Sequence, residues 1–239
     1  APLKNIMQVG VGANHVCALQ AVTGKVYCWG ENTYKQLGNG TTSASSMAKE
    51  IKVVALNSGN GPFITDTVFD QLAVGEDHNF IYSSSTRQLG CWGRNDYGQA
   101  NYSVTHNYVP VDVLLPADPN VKIKLPRHLG KLTSQVSIWT TQASWIGSFG
   151  DNTLGLLLGG YGNTQLSNTK ISSLNPHVKI TLDPSVSITT AAPDVDPSYV
   201  TKLESGAKFA AAIANSKLYV GGLVNGTGST PIYGLQNNT

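Results

Sequence analysis

Cys28-Trp29-Gly30 returns as Cys91-Trp92-Gly93, and the surroundings return with it. One copy reads Gly12-Ala-Asn-His15-Val-Cys17-Ala-Leu19, then Lys25-Val-Tyr-Cys28-Trp29-Gly30-Glu-Asn32-Thr-Tyr34-Lys-Gln36. The other reads Gly75-Glu-Asp-His78-Asn-Phe80-Ile-Tyr82, then Gln88-Leu-Gly-Cys91-Trp92-Gly93-Arg-Asn95-Asp-Tyr97-Gly-Gln99. Self-similarity at a fixed spacing marks a repeat architecture. The shared residues then belong to the scaffold, and function is to be sought where the copies differ.

Two weaker copies follow. The third contains Gln135-Val-Ser137-Ile-Trp139 and Trp145-Ile-Gly-Ser148-Phe149-Gly150, and the fourth Phe209-Ala-Ala211-Ala-Ile213 and Lys217-Leu-Tyr219-Val220-Gly221. The Trp position thus falls at 29, 92, 149 and 221. Alternating β-branched and aromatic residues between Gly, Pro, Asn and Ser clusters predict strands. A 3.6-residue apolar period never persists long enough to predict a helix. Fourth strands are expected at Ile51–Leu56, Val109–Leu115 and His177–Leu182. Four-stranded units repeated about an axis are propeller blades. The expected fold is all-β: one small propeller domain over residues 1–239, with four blades at approximately 8–56, 71–115, 128–182 and 200–239.

Opposed residues in an antiparallel hairpin have a constant index sum. On that basis the aligned copies pair Cys17 with Cys28, Phe80 with Cys91, Ser137 with Ser148, and Ala211 with Val220. A one-residue slip would move every side chain to the other face.

At Gly12-x-x-His15-x-Cys-Ala-Leu19 and Cys28-Trp29-Gly30-x-Asn32-x-Tyr-x-Gln36-Leu-Gly38, the chain resembles the regulator of chromosome condensation repeat family. The resemblance implies a propeller, usually of seven blades, that is not an enzyme. Members present a propeller face to a partner: a small GTPase for the nuclear exchange factor, a β-lactamase for a secreted bacterial inhibitor. Neither set of partner-binding residues can be matched here. Seven copies of ~60 residues would need about 420 residues, so a small ring of four is expected from 239.

Composition narrows the function classes. Only 13% of residues are charged, against ~25% in ordinary soluble domains. Ser, Thr, Asn and Gly fill the gap, which points to an extracellular or cell-surface protein. The net charge is +2 and the 16 Lys and Arg are dispersed, without the basic stripe of a nucleic-acid binder. No stretch approaches the ~20 apolar residues of a membrane span.

Cys17 and Cys28, opposed across one hairpin, are within reach of a disulfide. Cys91 has no local partner. His15 and His78 share one repeat position, which favours a structural role bonding backbone over catalysis. No His or Cys spacing suggests zinc, and Asp194-Val-Asp196 lacks the spaced acids of a calcium loop. No cofactor is expected, and no nucleophile–base pair can be assembled.

The loops Asn39–Ser46, Asn101–Tyr108, Gly159–Asn168 and Asn225–Thr230 occupy one rim by repeat equivalence. Loops on a rigid scaffold concentrate binding residues. Tyr102, His106, Tyr108, Tyr161, Asn163 and Gln165 are the candidate ligand-binding residues, since Tyr and neutral amides suit polar recognition. The expectation is a non-catalytic extracellular recognition or adhesion module for a glycan or a protein. It could be a homo-oligomer, or be displayed on a larger surface structure. The alternatives are a secreted inhibitor of another enzyme and a hydrolase using the central channel.

Overall fold

The computed structural model describes residues 2–53, 67–97, 99, 107–113, 122–131, 133–139, 144–150, 200–206, 209–214 and 217–222. The elements in it are all strands, in four antiparallel sheets. The first sheet holds β1 (Ile6–Val11), β2 (His15–Gln20), β3 (Val26–Gly30) and β4 (Ser45–Glu50). The second holds β5 (Gln71–Val74), β6 (His78–Ser83), β7 (Gln88–Gly93) and β8 (Asn107–Val113). Both run in sequence order, as successive hairpins dictate. The third sheet has β9 (Lys122–Lys124), β10 (Thr133–Trp139) and β11 (Ser144–Gly150). The fourth has β12 (Val200–Ser205), β13 (Phe209–Ala214) and β14 (Lys217–Gly222).

Registers repeat with the sequence. Cys17 pairs with Cys28, Phe80 with Cys91, and Ala211 with Val220. The β3–β4 and β7–β8 ladders both break at the Trp, between Cys28 and Gly30 and between Cys91 and Gly93. The first and fourth sheets also share an irregularity in their opening strands, at Ile6/Gln8 and Val200/Lys202.

Two expectations need correction. In the third sheet Ser148 pairs with Gln135, not Ser137. The ladder is displaced by two residues, which keeps every side chain on its original face, so apolar alternation could not tell the two registers apart. The fourth strand of the first sheet is Ser45–Glu50 rather than Ile51–Leu56. Ile51 lies just beyond it, buried, with its amide donating to Val26 O at 3.0 Å. A polar strand on an exposed outer edge carries little hydrophobic signal, whereas a buried apolar segment after it does. The strand expected at Val109–Leu115 overlaps β8, and that at His177–Leu182 lies outside the described residues.

The core lies between sheets. Cys17, Leu19, Val26, Cys28, Leu37 and Ile51 of the first copy pack in one buried cluster with Phe69, Leu72, Val74, Ile81 and Trp92 of the second. The glycine of each Cys-Trp-Gly turns at positive φ, 111° for Gly30 and 101° for Gly93. An added Cβ would strike the backbone oxygen of Asn14 or Asp77 at 2.4 or 2.5 Å, so only glycine fits there.

Candidate functional site

The site is built from the first copy outward, beginning with Asn32. Its side chain is fully buried. Leu37 N donates to Asn32 Oδ1 at 3.0 Å, and Asn32 Nδ2 donates to Thr41 O at 2.9 Å and Ser43 O at 3.1 Å. One repeat residue therefore ties the corner Gln36-Leu37-Gly38 to the rim loop that follows. Thr41 closes the loop on itself, its N and Oγ1 donating to Asn39 Oδ1 at 3.0 and 2.7 Å.

Above this base lies an open groove of about 600 Å³, lined by Asn39, Thr41, Ser43, Ser45, Ser46 and, at one end, Lys49 and Glu50. Glu50 is engaged by Lys25 at 3.0 Å. The groove offers hydroxyls and an amide, with charge at one end only. Such a surface can hydrogen-bond a polar ligand.

Of the sequence-derived candidates, Tyr102, His106, Tyr161, Asn163 and Gln165 lie outside the described residues, and Tyr108 lies on β8. The described part of the rim is therefore the first-copy loop. Cys17 and Cys28 are joined by a disulfide with Cα atoms 4.2 Å apart, and Cys91 is buried outside any disulfide.

Behind the rim, the first two sheets are fastened by side chains that the repeat pattern did not reveal. Asn79 is fully buried and bonds His15 Nε2 at 2.8 Å. Its Nδ2 donates to Gln36 O at 2.9 Å, and Trp92 Nε1 donates to the same oxygen at 2.9 Å. Because the Asn79 amide nitrogen is committed to Gln36, its oxygen must accept, so His15 carries its proton on Nε2. Burial lowers the His15 pKa, and it lowers that of His78 to about 3, with His15 and Arg94 nearby adding to the effect. Neither ring is poised for proton transfer near neutrality. His15 Nε2 therefore meets a side chain across the junction, while the Glu76 backbone also bears on the ring.

Gln8 makes a second fastening. Its Nε2 donates to Leu72 O at 2.6 Å and its Oε1 accepts from Leu72 N at 2.9 Å. Gln71, at the same repeat position, treats the next strand alike, reaching Ile123 O and Leu125 N at 2.8 Å each. These amides satisfy the open edge of an inner strand, which would otherwise present unpaired backbone. Near the corner, Arg94 lies 4.5 Å over the Tyr34 ring and pairs with Asp96 at 2.7 Å. The spacing of Gln8 and Gln71, 63 residues, was visible in the sequence. Their role was not, because their partners lie on the neighbouring sheet. Among the described residues, no group of three or more His, Cys, Asp or Glu could hold a metal, and no helix is long and apolar enough to cross a membrane.

The comparisons agree with this construction. Family models for the regulator of chromosome condensation (RCC1) repeat match residues 6–36 and 23–81. The chain is 32% identical over 152 residues to the probable E3 ubiquitin-protein ligase HERC4 of Homo sapiens, covering 62% of this chain and 13% of that protein. The Mus musculus protein of the same name matches to the same extent. Human WBSCR16 superposes with a TM-score of 0.62 at 20% identity, over 92% of this chain and 48% of that one. Yeast RCC1 (Prp20), solved with Kap60, does so with a TM-score of 0.62 at 19% identity, over all of this chain and 50% of that one. The chain spans about half the length of these solved structures, and about an eighth of the curated relatives. The two matches identify RCC1 repeats over residues 6–81, and the fold of the chain is similar to that of the RCC1 propellers.

Proposed function

We propose that this chain is a non-catalytic recognition module that binds a protein partner through the rim carrying the Asn39–Ser46 groove. RCC1-like propellers commonly mediate protein–protein interaction, and RCC1 itself was solved bound to Kap60. The observation that carries the reading is the contrast at Asn32: a buried repeat residue holds rigid a loop of hydroxyls and amides that differs in every copy. Rigid loops bind with less entropy loss than free ones. Neutral polar groups fit a protein surface, and equally the hydroxyls of a glycan, the other ligand class the rim suits. The Cys17–Cys28 disulfide and the low charge content support an extracellular or cell-surface setting.

The test is affinity capture with wild type and with Ser43→Arg/Ser46→Arg, run beside a glycan array. A protein held by wild type and released by the rim variant supports the reading. Equal capture by both removes the rim from it. Saturable glycan binding without a protein partner would make the module a lectin instead.

A further inference from the structure

The rim loop of the first copy begins on Asn39-Gly40-Thr41, an Asn-x-Thr sequon, which is the acceptor sequence for N-linked glycans. Asn101-Tyr-Ser103, Asn225-Gly-Thr227 and Asn237-Asn-Thr239 are the other sequons of the chain, and they lie outside the described residues. So short a pattern recurs by chance, and the geometry at Asn39 has to decide.

The turn holds the acceptor amide against the hydroxyl of its own sequon. Asn39 Oδ1 accepts from Thr41 N at 3.0 Å and from Thr41 Oγ1 at 2.7 Å. Asn32 Nδ2 lies 3.4 Å from Thr41 Oγ1 and donates to it, so the single proton of the hydroxyl is directed at Asn39. Gly40, between them, has φ 80°, a left-handed value that suits glycine. Both bonds from Thr41 span two residues. They form the local turn to which Asn is prone, so they do not require the finished fold. Among the described residues Asn39 Nδ2 has no hydrogen-bond partner, whereas the amide nitrogens of the buried Asn32 and Asn79 are committed to backbone oxygens. Asn39 is half-buried and residues 40–44 are exposed, so a group on Nδ2 has solvent to occupy.

We infer that Asn39 is an attachment site for an N-linked glycan, transferred from a lipid-linked oligosaccharide pyrophosphate with the Thr41 hydroxyl assisting. In the transfer Nδ2 gives a proton to the transferase and bonds to the anomeric carbon of the sugar. The bond from that carbon to the pyrophosphate oxygen breaks, and the lipid pyrophosphate leaves with the electron pair. As Nδ2 loses its proton, negative charge moves onto Oδ1, where the N–H and O–H of Thr41 already donate. The inference rests on the extracellular setting proposed above, which the Cys17–Cys28 disulfide supports, and not on the rim as a docking site. Asn39 lines the groove, so a glycan there forms part of the surface a partner meets.

The experiment secretes the full chain from cultured eukaryotic cells behind a cleavable leader. Asn39 is then mapped by peptide mass spectrometry, before and after enzymatic release of N-glycans in heavy-oxygen water. A glycopeptide spanning Asn39, and labelled aspartate at that position after release, are expected. A peptide recovered with Asn39 unmodified overturns the inference, as do glycans confined to Asn101, Asn225 or Asn237. Unlabelled aspartate at that position is spontaneous deamidation of Asn39-Gly40 and also counts against it. Asn39→Asp keeps the oxygen that accepts from Thr41 but removes the nitrogen, and Thr41→Val removes the hydroxyl. Each should lose the glycan at this position, while Thr41→Ser retains it; a glycan kept by Thr41→Val refutes the role given to the hydroxyl. Mapping of the wild type needs no variant, so a substitution that fails to fold leaves the answer intact. The leader imposes the compartment, so an unmodified Asn39 counts against the acceptor and not against the extracellular setting. Ser43→Arg/Ser46→Arg retains the sequon, so loss of partner capture and loss of the glycan are separate failures.

Discussion

Asn79→Ala should be the most damaging single polar substitution in the first inter-sheet junction. The amide bonds His15 Nε2 at 2.8 Å and Gln36 O at 2.9 Å, and both Asn79 and His15 are buried. Gln36 O keeps its second donor, Trp92 Nε1 at 2.9 Å, so its loss is small. The His15 N–H loses its side-chain acceptor, and an unsatisfied buried donor costs about 1–3 kcal/mol. Adding the lost Gln36 bond, about 1 kcal/mol, the substitution should cost about 2–4 kcal/mol. For a chain of this size each kcal/mol moves Tm by about 2–4 °C, so a fall of about 4–16 °C is expected by calorimetry or thermal dichroism. The cause can be isolated with a double-mutant cycle. His15→Leu/Asn79→Val makes the junction apolar on both sides, and removing both partners of a buried bond costs far less than removing one. The double variant should recover at least 1 kcal/mol relative to the sum of the singles. A Tm within about 2 °C of wild type for Asn79→Ala, or strictly additive costs in the cycle, would refute the reasoning.

Three further outcomes follow from the same geometry. Gln8→Ala should cost about 1–2 kcal/mol and accelerate hydrogen exchange at the Leu72 amide, which Gln8 Oε1 accepts from; unchanged exchange there would show that the bracket does not form. The His78 pKa is held at about 3 by burial, so the unfolded chain binds the extra proton between roughly pH 6.5 and 3. Stability is then full above pH 6.5 and declines as pH falls toward 3, with His15 contributing in the same direction; His78→Gln should flatten that slope in denaturant titrations, and an equal slope would exclude His78 as its source. Native protein should show no thiol reactive to a bulky reagent, one after unfolding and three after reduction, because Cys91 is buried and Cys17 is bonded to Cys28. Reduction should cost about 2–3 kcal/mol for so short a loop.

The scaffold was readable from the repeat because its determinants are local. Glycine at positive φ after each Trp, the hairpins pairing Cys17 with Cys28 and Phe80 with Cys91, and the buried Asn32 all depend on residues within a few positions of each other. Where the local signal weakened, reading failed in a characteristic way. The third hairpin differs by two residues from the register the repeat implies, a shift that leaves the face pattern intact, and the exposed strand Ser45–Glu50 carries less hydrophobic signal than the stretch after it. Most candidate ligand-binding residues, Tyr102 and Tyr161 among them, fall outside the described residues, so the rim is defined by the first-copy loop.

Period and alternation alone were enough to establish an all-β repeat protein with sheets built to one plan. They could not say that Asn79 answers His15, or that Gln8 and Gln71 seal the next sheet's inner edge. Each of those facts joins residues more than fifty positions apart. Hydrophobic pattern records which face of a strand is apolar. What lies against that face depends on how the sheets stack.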